Sequence, residues 1–229
     1  MGIERTSMDL KNTLVIACAT VMEEMRPFMP DGLDHHVFEF GLHITPKKLR
    51  IALQQKINDA SRKYETIILG YGLCSLAITG IYAPHSRLVV PRVDDCIAIF
   101  LGSRAAYQAQ FSQQPGTYYL TRGWIEVGDT PFSEYQRNLA RYGKENADLV
   151  YTTMMAHYTR LALILTSGSG MEPYRLFAQE TAAQFGLLYE EIQGSDALVR
   201  KLLLGPWDEE ILVAEAGTPI SIDPFIPSE

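Results

Sequence analysis

The sequence predicts an α/β protein built on a mostly parallel, Rossmann-like, three-layer sheet. Three observations carry this. Short apolar runs alternate with segments of helical period along the chain. The runs are continuous in Val, Ile and Leu, as strands buried on both faces are. About eight of them occur in 229 residues, enough for two Rossmann-like halves around a cleft.

Each element follows from its residues. Leu14-Val15-Ile16-Ala17-Cys18 is a buried strand, and 20–28 is a short helix or turn with Glu23 and Glu24 near its start. Residues 37–40 form a second strand. Thr45-Pro46 is a helix start, a hydroxyl cap followed by proline at the first helical position. That helix runs to about Lys63 and places Leu49, Ala52, Leu53, Ile57 and Ala60 on one face. Residues 66–69 and 88–90 are the third and fourth strands, and 96–113 is a helix closed by the turn Pro115-Gly116. Tyr118-Tyr119-Leu120-Thr121 is a strand. A polar helix opens at Ser133, Gly143 interrupts it, and a second helix runs from Lys144 to about Tyr158. The alternation resumes with a strand at 161–165, a loop at 167–170 and a helix at 173–185. A strand at 187–192, a helix at 196–204 and a strand at 211–214 complete it. The tail, with Pro219, Pro224 and Pro227, reads as extended and partly loose. The expected division is an N-terminal half at 1–125, bridging helices at 126–159 and a C-terminal half at 160–229, with the site in the cleft between halves.

Composition narrows the function. The net charge is −7, and no run of Lys or Arg exceeds two residues, so no electrostatic footprint for nucleic acid is present. No apolar stretch approaches the roughly 20 residues that span a bilayer. The N-terminus lacks the pattern of a secretory signal, so a cytoplasmic protein without a membrane partner is expected. Three cysteines are an odd number and imply no disulfide framework.

Those cysteines hold the sharpest chemical signal. Cys18, Cys74 and Cys96 each lie just past a predicted strand, where open parallel sheets bind ligands. Three thiolates meeting there could hold zinc or a [4Fe–4S] cluster with one position open, and His43, Asp95, Glu23 or no residue would be the fourth ligand. Buried apolar filling is the alternative for each cysteine.

His43, between a strand and a helix start, and Asp95 are the candidate catalytic groups. Asp95 could act as a general base or simply cap the helix that begins near Cys96. Arg92 could grip a carboxylate or phosphate, or pair with Asp94 or Asp95. Ser167, Gly168 and Ser169 could cradle an anion at the start of the helix that follows, or form an ordinary turn. Tyr118, Tyr119 and Trp124 are core or cleft wall, or stack on a planar cofactor. His157 is expected to be packed in its helix, and His35, His36 and His85 to lie in surface loops.

Residues 88–124 carry a resemblance. The run Pro91-Arg92-Val93-Asp94-Asp95-Cys96-Ile97, then Leu101-Gly102-Ser103, Tyr107, and the run from Pro115 to Trp124 resemble the DUF1638 family of uncharacterised prokaryotic proteins. Cys18, Leu42-His43, Gly70-Tyr71-Gly72-Leu73-Cys74, Tyr142-Gly143 and His157-Tyr158 extend the likeness over most of the chain. The resemblance implies an anaerobic setting beside corrinoid-dependent methyltransferases, and hence a corrinoid-linked substrate or a corrinoid protein or methyltransferase as partner. Two departures stand next to the cysteines. Asp94 replaces a frequent His, and Cys74-Ser75-Leu76-Ala77 replaces a Cys-Gly-Asn-Gly-like segment. The expected function is a metal-binding protein of one-carbon metabolism; the alternative is a small-anion-binding or corrinoid-partner protein without catalysis.

Overall fold

The computed structural model describes residues 10–39, 41–42, 45–127, 130–166 and 170–226. The fold is α/β, with a five-stranded, mostly parallel sheet and a three-stranded parallel sheet. The chain divides into two units, one made of residues 1–106 and 195–229, the other of 107–194.

The first unit opens with β1 (Thr13–Cys18) and the short α1 (Ala19–Met25). Next come β2 (Asp34–Phe38), α2 (Pro46–Ala60), β3 (Thr66–Gly70) and β4 (Arg87–Pro91). Each strand after β2 is a continuous apolar run, and β3 is buried throughout. The helix α2 turns Leu49, Leu53, Ile57 and Ala60 inward, at the spacing of one helical face. They pack with Ile16, Ile67, Leu69, Leu88 and Val90 of the sheet in one core.

A helix at 96–113 was the expectation; two occur instead, α3 (Cys96–Leu101) and α4 (Arg104–Gln113). Gly102 separates them in the left-handed region, at φ 85°. A Cβ there would sit 2.5 Å from the Ser195 side chain, so glycine serves both the turn and the packing.

The second unit contains β5 (Thr117–Leu120), α5 (Arg122–Val127), α6 (Pro131–Met155), β6 (Arg160–Leu165), α7 (Glu172–Phe185) and β7 (Leu188–Gln193). Its sheet order is β5-β6-β7. Gly143 interrupts α6 at φ 77°, ψ 172°, as its position in the sequence implies. Arg160 is buried under this sheet, with its guanidinium held by Thr117, Glu190 and Gln110.

The chain then returns to the first unit through α8 (Ala197–Leu204) and β8 (Ile211–Ala214). β8 pairs antiparallel with β4 and closes the sheet order β2-β1-β3-β4-β8. The division therefore differs from the expected 1–125 and 160–229 halves. The last strand repairs an edge of the first sheet instead of extending the second. The tail also differs from the loose segment expected. Ile220 and Phe225 are buried, and backbone hydrogen bonds tie Ile220 to Gly80 and Ile81.

Candidate functional site

The parallel part of the larger sheet runs β2-β1-β3-β4. From β1 the chain steps outward to β2, then crosses back to β3 on the other side, so the topological switch point falls between β1 and β3. Ligands of such sheets bind outside the carboxyl ends at that point. Cys18 is the last residue of β1, Cys74 follows β3, and Cys96 is the first residue of α3 after β4.

Two glycines bring these loops together. Gly70 pairs with Ala17 across the sheet, and a Cβ on it would lie 2.7 Å from the Ala17 Cβ and 3.0 Å from the Met25 sulfur. A Cβ on Gly72 would lie 2.8 Å from the Asp95 backbone nitrogen. Past the last paired residues of the two strands, Leu73 N–H donates to the Val93 carbonyl at 2.9 Å and Cys74 N–H to that of Asp94 at 3.0 Å. Side chains at 70 and 72 would wedge these segments apart. Cys74, Ser75 and Leu76 then take φ values of 46°, 56° and 65°, three consecutive non-glycine residues in the left-handed region. Arg50 steadies that turn through the carbonyls of Leu76 and Ala77.

The three thiols share one electrostatic environment. Each cysteine is half-buried and free of disulfides. Burial pushes the Cys74 thiol up to about 12, helped by charge on Cys18 and Asp95. Cys96 is held well above the ordinary thiol range by burial first, then by charge on Cys18, Asp95 and Cys74. Cys18 is raised by burial and partly relieved by a 3.1 Å hydrogen bond with Thr20. Charge on Cys18 and Asp95 thus bears on both Cys74 and Cys96. Among the described residues, no group of three or more His, Cys, Asp or Glu side chains is already arranged to hold a metal ion. As placed, the three thiols do not form a set of ligands.

Tyr71, which the sequence reading passed over, sits in their midst. It is 3% exposed, and its hydroxyl is buried with no hydrogen-bond partner. Burial raises its pKa well above the ordinary phenol value, and charge on Cys18, Cys74 and Cys96 adds to this. Its signal was the Gly-Tyr-Gly run at the end of β3, a bulky residue between two positions that must be small.

The other candidates divide. Asp95 caps α3: its Oδ1 accepts from Ile97 N–H at 2.9 Å. Its carboxyl is raised, chiefly by burial, so the cap also places an acidic group beside Cys74 and Cys96. Asp94 pairs with Arg104 at 3.2 Å. Arg92 is a fastener where a ligand clamp was expected. Its guanidinium donates to the carbonyls of Pro224 at 2.6 Å and Glu209 at 2.7 Å, and it meets neither Asp94 nor Asp95 in these bonds. Glu23 pairs with Arg26 on the surface. His43, Ser167, Gly168 and Ser169 lie outside the described residues.

In the second unit Tyr118 packs edge-on against Phe132 and Tyr158 and beside Trp124, which is the core reading of these aromatics. His157 is exposed, because α6 ends before it and the packed reading needed the helix to continue. His35 and His36 belong to the edge strand β2; they were expected in a loop. Among the described residues, no helix is long and apolar enough to cross a membrane.

The model of a family described as "Protein of unknown function (DUF1638)" matches residues 37–203. No curated protein and no solved structure matches the chain.

Proposed function

We propose, for a chain that belongs to the DUF1638 family, that the larger unit is a metal-binding device whose ligands are Cys18, Cys74 and Cys96. What supports the reading is placement: the three cysteines stand at three separate strand ends around the switch point of a parallel sheet, and Cys18 and Cys74 pack on the same core. Burial and mutual repulsion keep these thiols protonated, and a soft cation is what reverses both effects. It supplies the charge that burial denies, and it binds the thiolate form. Zinc and a [4Fe–4S] cluster both accept three thiolates and leave one position open. Binding draws the sulfurs inward to metal–sulfur distances of about 2.3 Å for zinc. The family resemblance gives such a centre a task in corrinoid-linked methyl transfer. There, a Lewis acid keeps a substrate sulfur nucleophilic at neutral pH.

Metal analysis of protein purified without oxygen tests the reading. One zinc, or iron with matching sulfide, is expected per chain, and it is lost in single Cys→Ser variants. A triple Cys→Ser protein that keeps its full metal content overturns the proposal, as does a wild-type protein that takes up neither zinc nor iron.

A further inference from the structure

The segment after β3 is a coil held at both ends. At its start, Leu73 and Cys74 N–H groups bond to the carbonyls of Val93 and Asp94. It then winds through tight turns. Ala77 N–H donates to the Cys74 carbonyl, Thr79 N–H to that of Leu76 and Ile81 N–H to that of Ile78, each at 3.2 Å. At its far end the C-terminal segment lies alongside. Gly80 N–H donates to the Ile220 carbonyl, Ile220 N–H to that of Ile81 and Gly217 N–H to that of Ala83, each at 2.8 Å.

Local costs gather on this coil. Cys74, Ser75 and Leu76 hold left-handed backbone in a row. Two buried hydroxyls, that of Tyr71 just before the coil and that of Thr79 within it, have no hydrogen-bond partner in the protein. Such costs persist only where the surroundings enforce them. The C-terminal segment enforces one end while burying little of itself. From 217 to 226 only Ile220 and Phe225 are buried, and the Arg92 guanidinium holds the Pro224 carbonyl. We infer that residues 217–226 are a releasable latch on the coil that carries Cys74. While the segment is docked, the coil stays wound and encloses the Cys74 thiol. When it lifts, the left-handed turn unwinds, and the Cys74 thiol and the Tyr71 and Thr79 hydroxyls meet water. The latch governs access to Cys74 and is independent of what the cysteines bind.

Alkylation by iodoacetamide, followed by mass spectrometry on the full chain after treatment with a chelator, tests the latch. Cys96, the first residue of α3 and outside the coil, is the internal reference. Arg92→Ala frees the segment at Pro224. It should raise the labelling rate of Cys74 about tenfold relative to Cys96, the worth of one hydrogen bond to a charged group. Ser75→Gly keeps every tether and relieves the left-handed turn. It should lower that rate about fivefold, because it favours the wound coil. A merely structural role for the segment would move Cys74 and Cys96 together. An unchanged ratio in Arg92→Ala overturns the latch, as does a Cys74 rate in Ser75→Gly equal to or above that of wild type. If Arg92→Ala does not fold, Ser75→Gly decides alone. All labelling is done on metal-free protein, so the metal reading stands or falls separately, on metal content.

Discussion

At the scale of single residues, the cysteines illustrate how burial and ionisation oppose each other. All three thiols lie above the ordinary value near 9, and Cys74 reaches about 12. At neutral pH they carry their protons, so if the proposed metal binds through them, its uptake should release up to three protons per ion, one from each cysteine. Apparent zinc affinity should fall as the pH falls across the neutral range. Indicator-dye titration in weak buffer counts the protons, and release near zero contradicts thiolate ligation. Linkage sets a second expectation for the metal-free protein. A thiol with a raised folded pKa leaves stability intact below the unfolded value and loses it as the pH climbs toward the folded one. Denaturant stability should therefore decline between about pH 9 and 12, and Cys74→Ser should shallow the decline. The three cysteines were legible in the sequence because each follows an apolar run. Tyr71 was not, because only the glycines on either side of it, pressed against Ala17 and Asp95 in space, mark its place.

Among the elements, the loop after β3 carries the strain. Cys74, Ser75 and Leu76 hold left-handed backbone in a row, and each such non-glycine residue costs roughly 1–2 kcal/mol. The Gly-Asn pair that the family resemblance leads one to expect at 75 and 76 is the pair best suited to that conformation. Ser75→Gly should therefore stabilise the protein by about 1 kcal/mol, measured by chemical unfolding, without loss of metal. Unchanged or lower stability would mean that the turn is not strained at Ser75. Removing the α3 cap acts the other way. Asp95→Ala should cost about 1 kcal/mol, while lifting a negative charge from beside Cys74 and Cys96. The thiol pKa values of the variant should drop, read from ultraviolet thiolate absorbance against pH. Strand and helix identities followed from local pattern, since buried parallel strands are continuous apolar runs. Helix ends did not. The break at Gly102 has a local sign, a glycine at the end of α3 followed by Ser103, whose hydroxyl accepts from Ala106 N–H, but Gly102-Ser103 reads equally as helix packing within one longer helix.

For the whole molecule, the return of the chain to its first unit is the feature that periodicity could not reveal. β8 reads as one more strand; its antiparallel pairing with β4 is decided by which edge is open. The segment after it is anchored by Ile220, Phe225 and the Arg92 bond to the Pro224 carbonyl, while a second Arg92 bond holds the Glu209 carbonyl just before the strand. Phe225→Ala should cost about 3–5 kcal/mol in unfolding free energy. Arg92→Ala should raise amide exchange across 209–226 while leaving metal content unchanged. Fast exchange there in wild type would restore the loose tail.

That return path also sets an order of events on the ribosome. Cys18, Cys74 and Cys96 emerge early, together with four of the five strands of their sheet, and all of 107–194 is made before β8 appears. Until then the exposed flank of β4 lacks its antiparallel neighbour. The nascent chain thus presents its thiols on an unfinished sheet while the inserted unit is still being synthesised. A metal delivered during that interval would meet the cysteines before the sheet is complete.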